Sequence, residues 1–169
     1  MKPPSESKGF AIIEVIISML IASALITTFQ ALILGITKNN IANKNQLQAT
    51  MYLKEAIEAT KDISQSDIPQ SNWATLDTCG ANCHPVIKDD VPGTYYWSLD
   101  VGSGPLLDNK FARYLTISKV KRNASGAIDG NGTDDPNTRK VTATLTWRDG
   151  GNPNTIPHTI STEALLYNF

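Results

Sequence analysis

The chain has 169 residues, a net charge of −1 and 41% hydrophobic content, a size that allows a single domain with its own core. The near-neutral balance and the lack of a long basic run give no reason to expect nucleic acid as a general partner. With only two cysteines and two histidines, a metal or catalytic constellation has little to draw on, so neither an enzyme nor a cofactor is expected.

These averages conceal a sharp asymmetry. Met1–Gly9, MKPPSESKG, is short and polar, with Lys2, Lys8 and two prolines that discourage helix. The 25 residues from Phe10 to Leu34 then carry Glu14 as their one ionisable side chain. About 20 residues of helix cross a hydrocarbon core, and this run exceeds that. A buried soluble helix would carry more charge, and a cleaved secretory signal would have an apolar region of only about 7–15 residues. The run is therefore read as a retained single-pass anchor in the cytoplasmic (inner) membrane, with the N-terminus on the cytoplasmic side and the head exported. Flanking charge adds little to this orientation, because Lys38 and Lys44 follow the span and Glu6 dilutes the leader.

A charge at the centre of a membrane helix costs about 2.5–3.5 kcal/mol on insertion scales, which makes Glu14 a functional candidate. Lys8-Gly9-Phe10 followed by Ile13 and Glu14 resembles the class III signal of type IV pilins and type II secretion pseudopilins. That signal ends its leader in Gly and places Phe first and Glu fifth in the mature helix. Ala11 stands where Thr is commoner and Ile12 where Leu is. The resemblance implies that prepilin peptidase cuts between Gly9 and Phe10 and methylates the Phe10 amine. It also implies that Glu14 meets the amine of a neighbouring subunit during assembly. The partners so implied are the peptidase, other pilin or pseudopilin subunits and the inner-membrane assembly machinery. Family members often carry a proline where Ala31 stands, and its absence points to a minor rather than a major subunit.

Beyond the span, Ala49, Tyr52, Leu53, Ala56, Thr60 and Ile63 recur at three- and four-residue spacing, one stripe of a helix. No proline interrupts the chain from Phe10 to Pro69, so one helix is expected from Phe10 to about Asp62, with a sheet covering its stripe. The Asn-rich stretch Thr37–Gln48 is read as a solvated helix face, with bending on filament packing as the alternative. Thr94–Val101, Arg113–Val120, Lys140–Trp147 and Thr159–Tyr167 are expected strands. Tyr95, Trp97, Leu99 and Val101 should share one dry face, as should Val141, Ala143, Leu145 and Trp147. Turns are expected at Val91–Gly93, Gly102–Pro105, Ser125–Asn137 and Asp149–Asn154.

The expected fold is thus α+β. A leader (1–9) precedes a transmembrane and assembly helix (10–36), an amphipathic helical half (37–63) and an antiparallel-sheet head (64–169). The resemblance implies the same layout, the pilin fold. Cys79 and Cys83, in CGANC, can close a small disulfide loop in an exported head. A zinc site adding His84 and His158 is the weaker alternative, since Cys83 beside His84 fits one tetrahedral ion poorly. Asp129, Asn131 and Thr133 alternate like the start of a calcium loop. However, Asp134 and Lys140 stand where an EF-hand wants Gly and Glu, and a turn uses the same residues. No metal is therefore assigned. The functional expectation is a structural subunit, a minor pilin, of a type IV pilus-like filament. The alternatives are a type II secretion pseudopilin and, in a different class, a membrane-anchored extracytoplasmic binding protein or enzyme.

Overall fold

A computed structural model describes residues 8–69, 71–149 and 157–168 of the chain. Most of the leader and the expected turn residues Gly150–Asn154 lie outside the described residues. The chain divides into two compact units, Met1–Gln46 and Leu47–Phe169. The secondary structure is α1 (Lys8–Gln65), α2 (Trp73–Leu76), β1 (Cys83–Val91), β2 (Thr94–Val101), β3 (Ala112–Arg122), β4 (Thr133–Trp147) and β5 (His158–Tyr167). The class is α+β: a long helix with an apolar N-terminal part, and one five-stranded antiparallel sheet in the order β2-β1-β3-β4-β5.

In the first unit α1 is apolar and long enough to cross a membrane, which is consistent with a single-pass membrane protein. Its aliphatic side chains from Ile12 onward are exposed, among them Ile16, Leu20, Leu25 and Leu32. The Asn-rich stretch stays helical.

In the second unit the rest of α1 supplies the expected stripe. Ala49, Leu53, Ala56, Thr60 and Ile63 are buried, and Ala59 joins them. Ala49, Leu53, Ala56 and Ile63 share one core with Leu115 and Ile117 of β3 and Val141, Ala143 and Leu145 of β4. Each fully buried Leu, Ile or Val contributes about 1.5–3 kcal/mol relative to exposure. Ala at positions 49 and 56 leaves room for the helix to approach the sheet closely. Arg113 ties the two layers together: its guanidinium donates to the Tyr52 carbonyl and to Glu55 Oε1, each at 3.0 Å.

Three sequence expectations need correction. First, β1 was not anticipated, because CHPVIKDDV lacks clean alternation and contains Pro85. It pairs with β2 along most of its length but meets β3 only at Cys83↔Leu115. Pro85 is tolerated because the side facing β3 needs no donor there. Secondly, β2 does not present one dry face. Tyr95 and Val101, near its two ends, are 78% and 73% exposed, whereas Tyr96 and Ser98 of the alternate set are buried with Leu99. Thirdly, Thr133–Asn137 belongs to β4 rather than to a turn. The β3–β4 register jumps from Lys119↔Arg139 to Val120↔Asp135, so three residues of β4, including Pro136, bulge out of the ladder. A bulge is where a strand accommodates proline.

Candidate functional site

Gly9 and Phe10 lie in the first turn of α1, and Glu14 follows one turn later. Glu14 is exposed among Ile12, Ile13, Val15, Ile16 and Ile17, which are themselves at least half exposed. A carboxylate is thus set into an unpartnered aliphatic surface. The hydroxyls of the same segment are handled differently, because each bonds a carbonyl of the preceding turn. Ser18 Oγ donates to the Glu14 carbonyl at 2.8 Å and Ser23 Oγ to that of Leu20 at 2.9 Å. Thr27 and Thr28 each reach the Ala24 carbonyl, at 2.9 and 3.0 Å. Lipid supplies no hydrogen bonds, so internal satisfaction of this kind is what a membrane helix requires. Among the described polar side chains from Ile12 to Leu34, Glu14 and Gln30 make no such bond. Of these two, Glu14 is the charged one.

The remaining sequence candidates sit in the second unit and do not converge on one another. Cys79 and Cys83 are joined as a disulfide with Cα atoms 5.4 Å apart. The loop they close is fastened to β3 and β2. Ile117 N donates to the Gly80 carbonyl at 3.0 Å, Gly102 N to that of Asn82 at 2.9 Å, and Thr116 Oγ1 to that of Ala81 at 3.1 Å. Gly80 holds a φ of +57°, a left-handed turn that glycine adopts without strain.

His84 Nδ1 lies 3.1 Å from the Gly102 carbonyl. His158 stacks on Trp147 with ring centroids 5.1 Å apart and pairs with Asp149 at 2.9 Å. The two histidines and the bonded sulfurs therefore serve different neighbours. Asp129 Oδ1 accepts from Asn131 N at 3.0 Å and the Asp129 carbonyl from Gly132 N at 3.0 Å. These are the bonds of an Asx turn. Among the described residues, no group of three or more His, Cys, Asp or Glu side chains is placed to hold a metal ion.

Two arrangements carry chemistry that the sequence did not single out. Arg139 is enclosed by Asp77 and by the ring of Trp73, 5.1 Å from its guanidinium carbon, and it anchors α2 to the sheet. Arg122, Asp135 and Thr138 form a second cluster at the bulge. Arg122 Nε and Thr138 Oγ1 each donate to Asp135 Oδ2 at 2.6 Å. The Thr138 hydroxyl, the Arg122 guanidinium and the Asn137 amide push the Asp135 carboxyl down to about 2. Both clusters join residues distant along the chain or across a bulge, which sequence spacing does not report. No protein-family model, no curated protein and no solved structure matches this chain.

Proposed function

We propose that the chain is a prepilin-like structural subunit, matured between Gly9 and Phe10 and assembled through its N-terminal helix into a type IV pilus-like filament. The single observation that carries this reading is Glu14: one uncompensated carboxylate, four residues after Phe10, on an otherwise aliphatic helix surface. Cleavage after Gly9 would create a cationic amine at Phe10. Amine and carboxylate on one helix are separated by about 6 Å along the axis, so they pair most readily between subunits displaced by that step. Pairing lowers the large penalty that each charge meets alone in an apolar surrounding. Assembly is then extraction from lipid into a bundle, in which helix contacts replace lipid contacts and Glu14 neutralises an amine. The place of Ala31, where a helix proline is common in major subunits, favours a minor component.

Intact mass and N-terminal peptide sequencing of the protein from its native membrane test the reading. A mature chain beginning at N-methylated Phe10 supports it. A chain still beginning at Met1 in cells with an active prepilin peptidase refutes it and leaves an ordinary anchored protein.

A further inference from the structure

The polar side chains between Phe10 and Leu34 fall on two opposite sides of α1. At about 100° of rotation per residue, Ser18 and Thr28 lie within about 40° of Glu14, whereas Ser23, Thr27 and Gln30 lie about 140–180° from it. This second set belongs to a longer seam. Leu20, Ser23, Thr27, Gln30, Leu34 and Thr37 are separated alternately by three and four residues, the heptad spacing that keeps one line of side chains facing a second helix. All of them are exposed along α1. Ala24 and Ala31 directly follow Ser23 and Gln30, so one flank of the seam carries small side chains that let two backbones approach closely.

Gln30 is the side chain that needs a partner. The hydroxyls of Ser23, Thr27 and Thr37 each donate to a carbonyl of their own helix, and their oxygens can still accept. The Gln30 amide offers two donors and an acceptor and makes no hydrogen bond among the described residues. The next charged residue towards the head is Lys38, beyond the apolar stretch Ala31–Ile36, about 12 Å along the axis. An amide at that depth of an anchor finds no partner in lipid.

A second copy of this chain meets each of these features. Copies inserted in one orientation carry residue 30 at one depth. A carboxamide is both donor and acceptor, so two Gln30 side chains can bond reciprocally, with the Thr27 oxygen one layer away as a further acceptor. Hydrogen bonds of this kind join helices in membranes, and one polar position in a heptad seam fixes register and partner number. We propose that the chain pairs in the membrane with a second copy of itself, as a parallel helix dimer along the Leu20–Thr37 seam with Gln30 against Gln30. The seam lies opposite Glu14, so the pairing leaves that carboxylate uncovered. The inference rests on the membrane anchor and not on filament assembly.

The test uses the full chain in liposomes of zwitterionic lipid, with a donor or an acceptor fluorophore at the C-terminus. Carbonate extraction checks insertion, and energy transfer between copies is followed as the protein-to-lipid ratio is varied. Transfer should be competed by unlabelled chain. Gln30→Leu should weaken association about fivefold or more, Gln30→Asn should retain most of it, and Thr28→Val, on the other side of the helix, should not change it. With the Cys79–Cys83 bond left intact, Thr27→Cys and Leu34→Cys chains should cross-link on mild oxidation, and Leu25→Cys and Leu32→Cys chains should not. A Gln30→Leu chain that associates like the parent, or cross-links through positions 25 and 32, would overturn the seam. An inserted chain whose transfer unlabelled copies do not compete overturns the dimer alone. A chain stripped from the bilayer by carbonate overturns the anchor and the dimer together.

Discussion

Arg139 closes a two-point ion pair on Asp77, a residue 62 positions earlier in the chain: Nε to Oδ1 at 2.7 Å and Nη2 to Oδ2 at 3.0 Å. The guanidinium is only 5% exposed, whereas the carboxylate is 45% exposed. Nη1 is spent on the carbonyls of Asp135, Pro136 and Thr138. One side chain therefore fastens α2 to the bulge of β4. Removing it should cost about 2–3 kcal/mol, below the figure for a fully buried pair because Asp77 stays half in water. Chemical denaturation of Arg139→Ala should show that loss. Arg139→Lys should recover only part of it, since lysine keeps the charge but lacks the planar fork and the stack on Trp73. A lysine variant as stable as the parent would show that charge alone matters.

Acid should unfold the second unit through its carboxylates. Asp135 falls from the ordinary 3.8 to about 2, first through Thr138, then through Arg122 and Asn137. Asp77 is also lowered, chiefly by its hydrogen bonds from Arg139. A carboxyl with a depressed folded pKa stabilises the fold above its unfolded value and loses that contribution as pH falls through the folded one. For Asp135 the window runs from about pH 4 down to about pH 2. Denaturation midpoints measured across this window should drop steeply in the parent and less steeply in Asp135→Asn. Parallel slopes for the two proteins would remove Asp135 from the account.

The disulfide should guard one part of the sheet selectively. Closing so short a loop contributes about 2 kcal/mol on the chain-entropy account. Because β1 meets β3 only at Cys83↔Leu115, the β1–β2 hairpin depends on the Cys79–Cys83 loop for its attachment. In hydrogen exchange on the Cys79→Ser/Cys83→Ser protein, β1 and β2 should lose protection before β3, β4 and β5. Uniform loss across all five strands would mean that the sheet opens as one unit.

Glu14→Ala should leave membrane insertion intact, since it removes a charge from an apolar helix. If the filament reading holds, incorporation into sheared filaments should fall by about tenfold or more while the membrane fraction keeps its protein. Immunoblots of the two fractions read this directly. Equal incorporation of the alanine variant would leave the carboxylate without an assembly role.

Much of the fold was legible where one periodicity met one environment. The 49–63 stripe and the alternation Val141, Ala143, Leu145, Trp147 both face the same core, and burial follows the pattern except at Tyr52, which is partly buried. The β1–β2 hairpin was harder because its environment changes along its length. At Tyr95 and Val101 the apolar side chains face solvent, and the Tyr96 hydroxyl instead bonds Asp90; strand propensity yields to such context. The stretch DDPN looked like a turn because it contains one, an Asx bond from Asn137 N to Asp135 Oδ1 at 2.9 Å, folded into a continuing strand as a bulge. Of the candidate site, Glu14 and its spacing from Phe10 were visible at once. The β4 bulge was not, because it arises where Val120 pairs with Asp135 instead of continuing the Lys119↔Arg139 register, which leaves no mark on SKVKR itself.

Strand pairing divides the sheet into two ribbons, β1–β2 and β3–β4–β5, which meet at Cys83↔Leu115 and through the hydrogen bonds from β3 to the Gly80 and Ala81 carbonyls. Under tension that pulls the ribbons apart, part of the load passes through residues 79–83. With the bond closed, the Cα atoms of Cys79 and Cys83 are held 5.4 Å apart. With it open, the same four links could extend to about 14 Å. The bond therefore acts as a stop on stretching: it sets how far the hairpin can be drawn from the rest of the sheet before strand pairing must break.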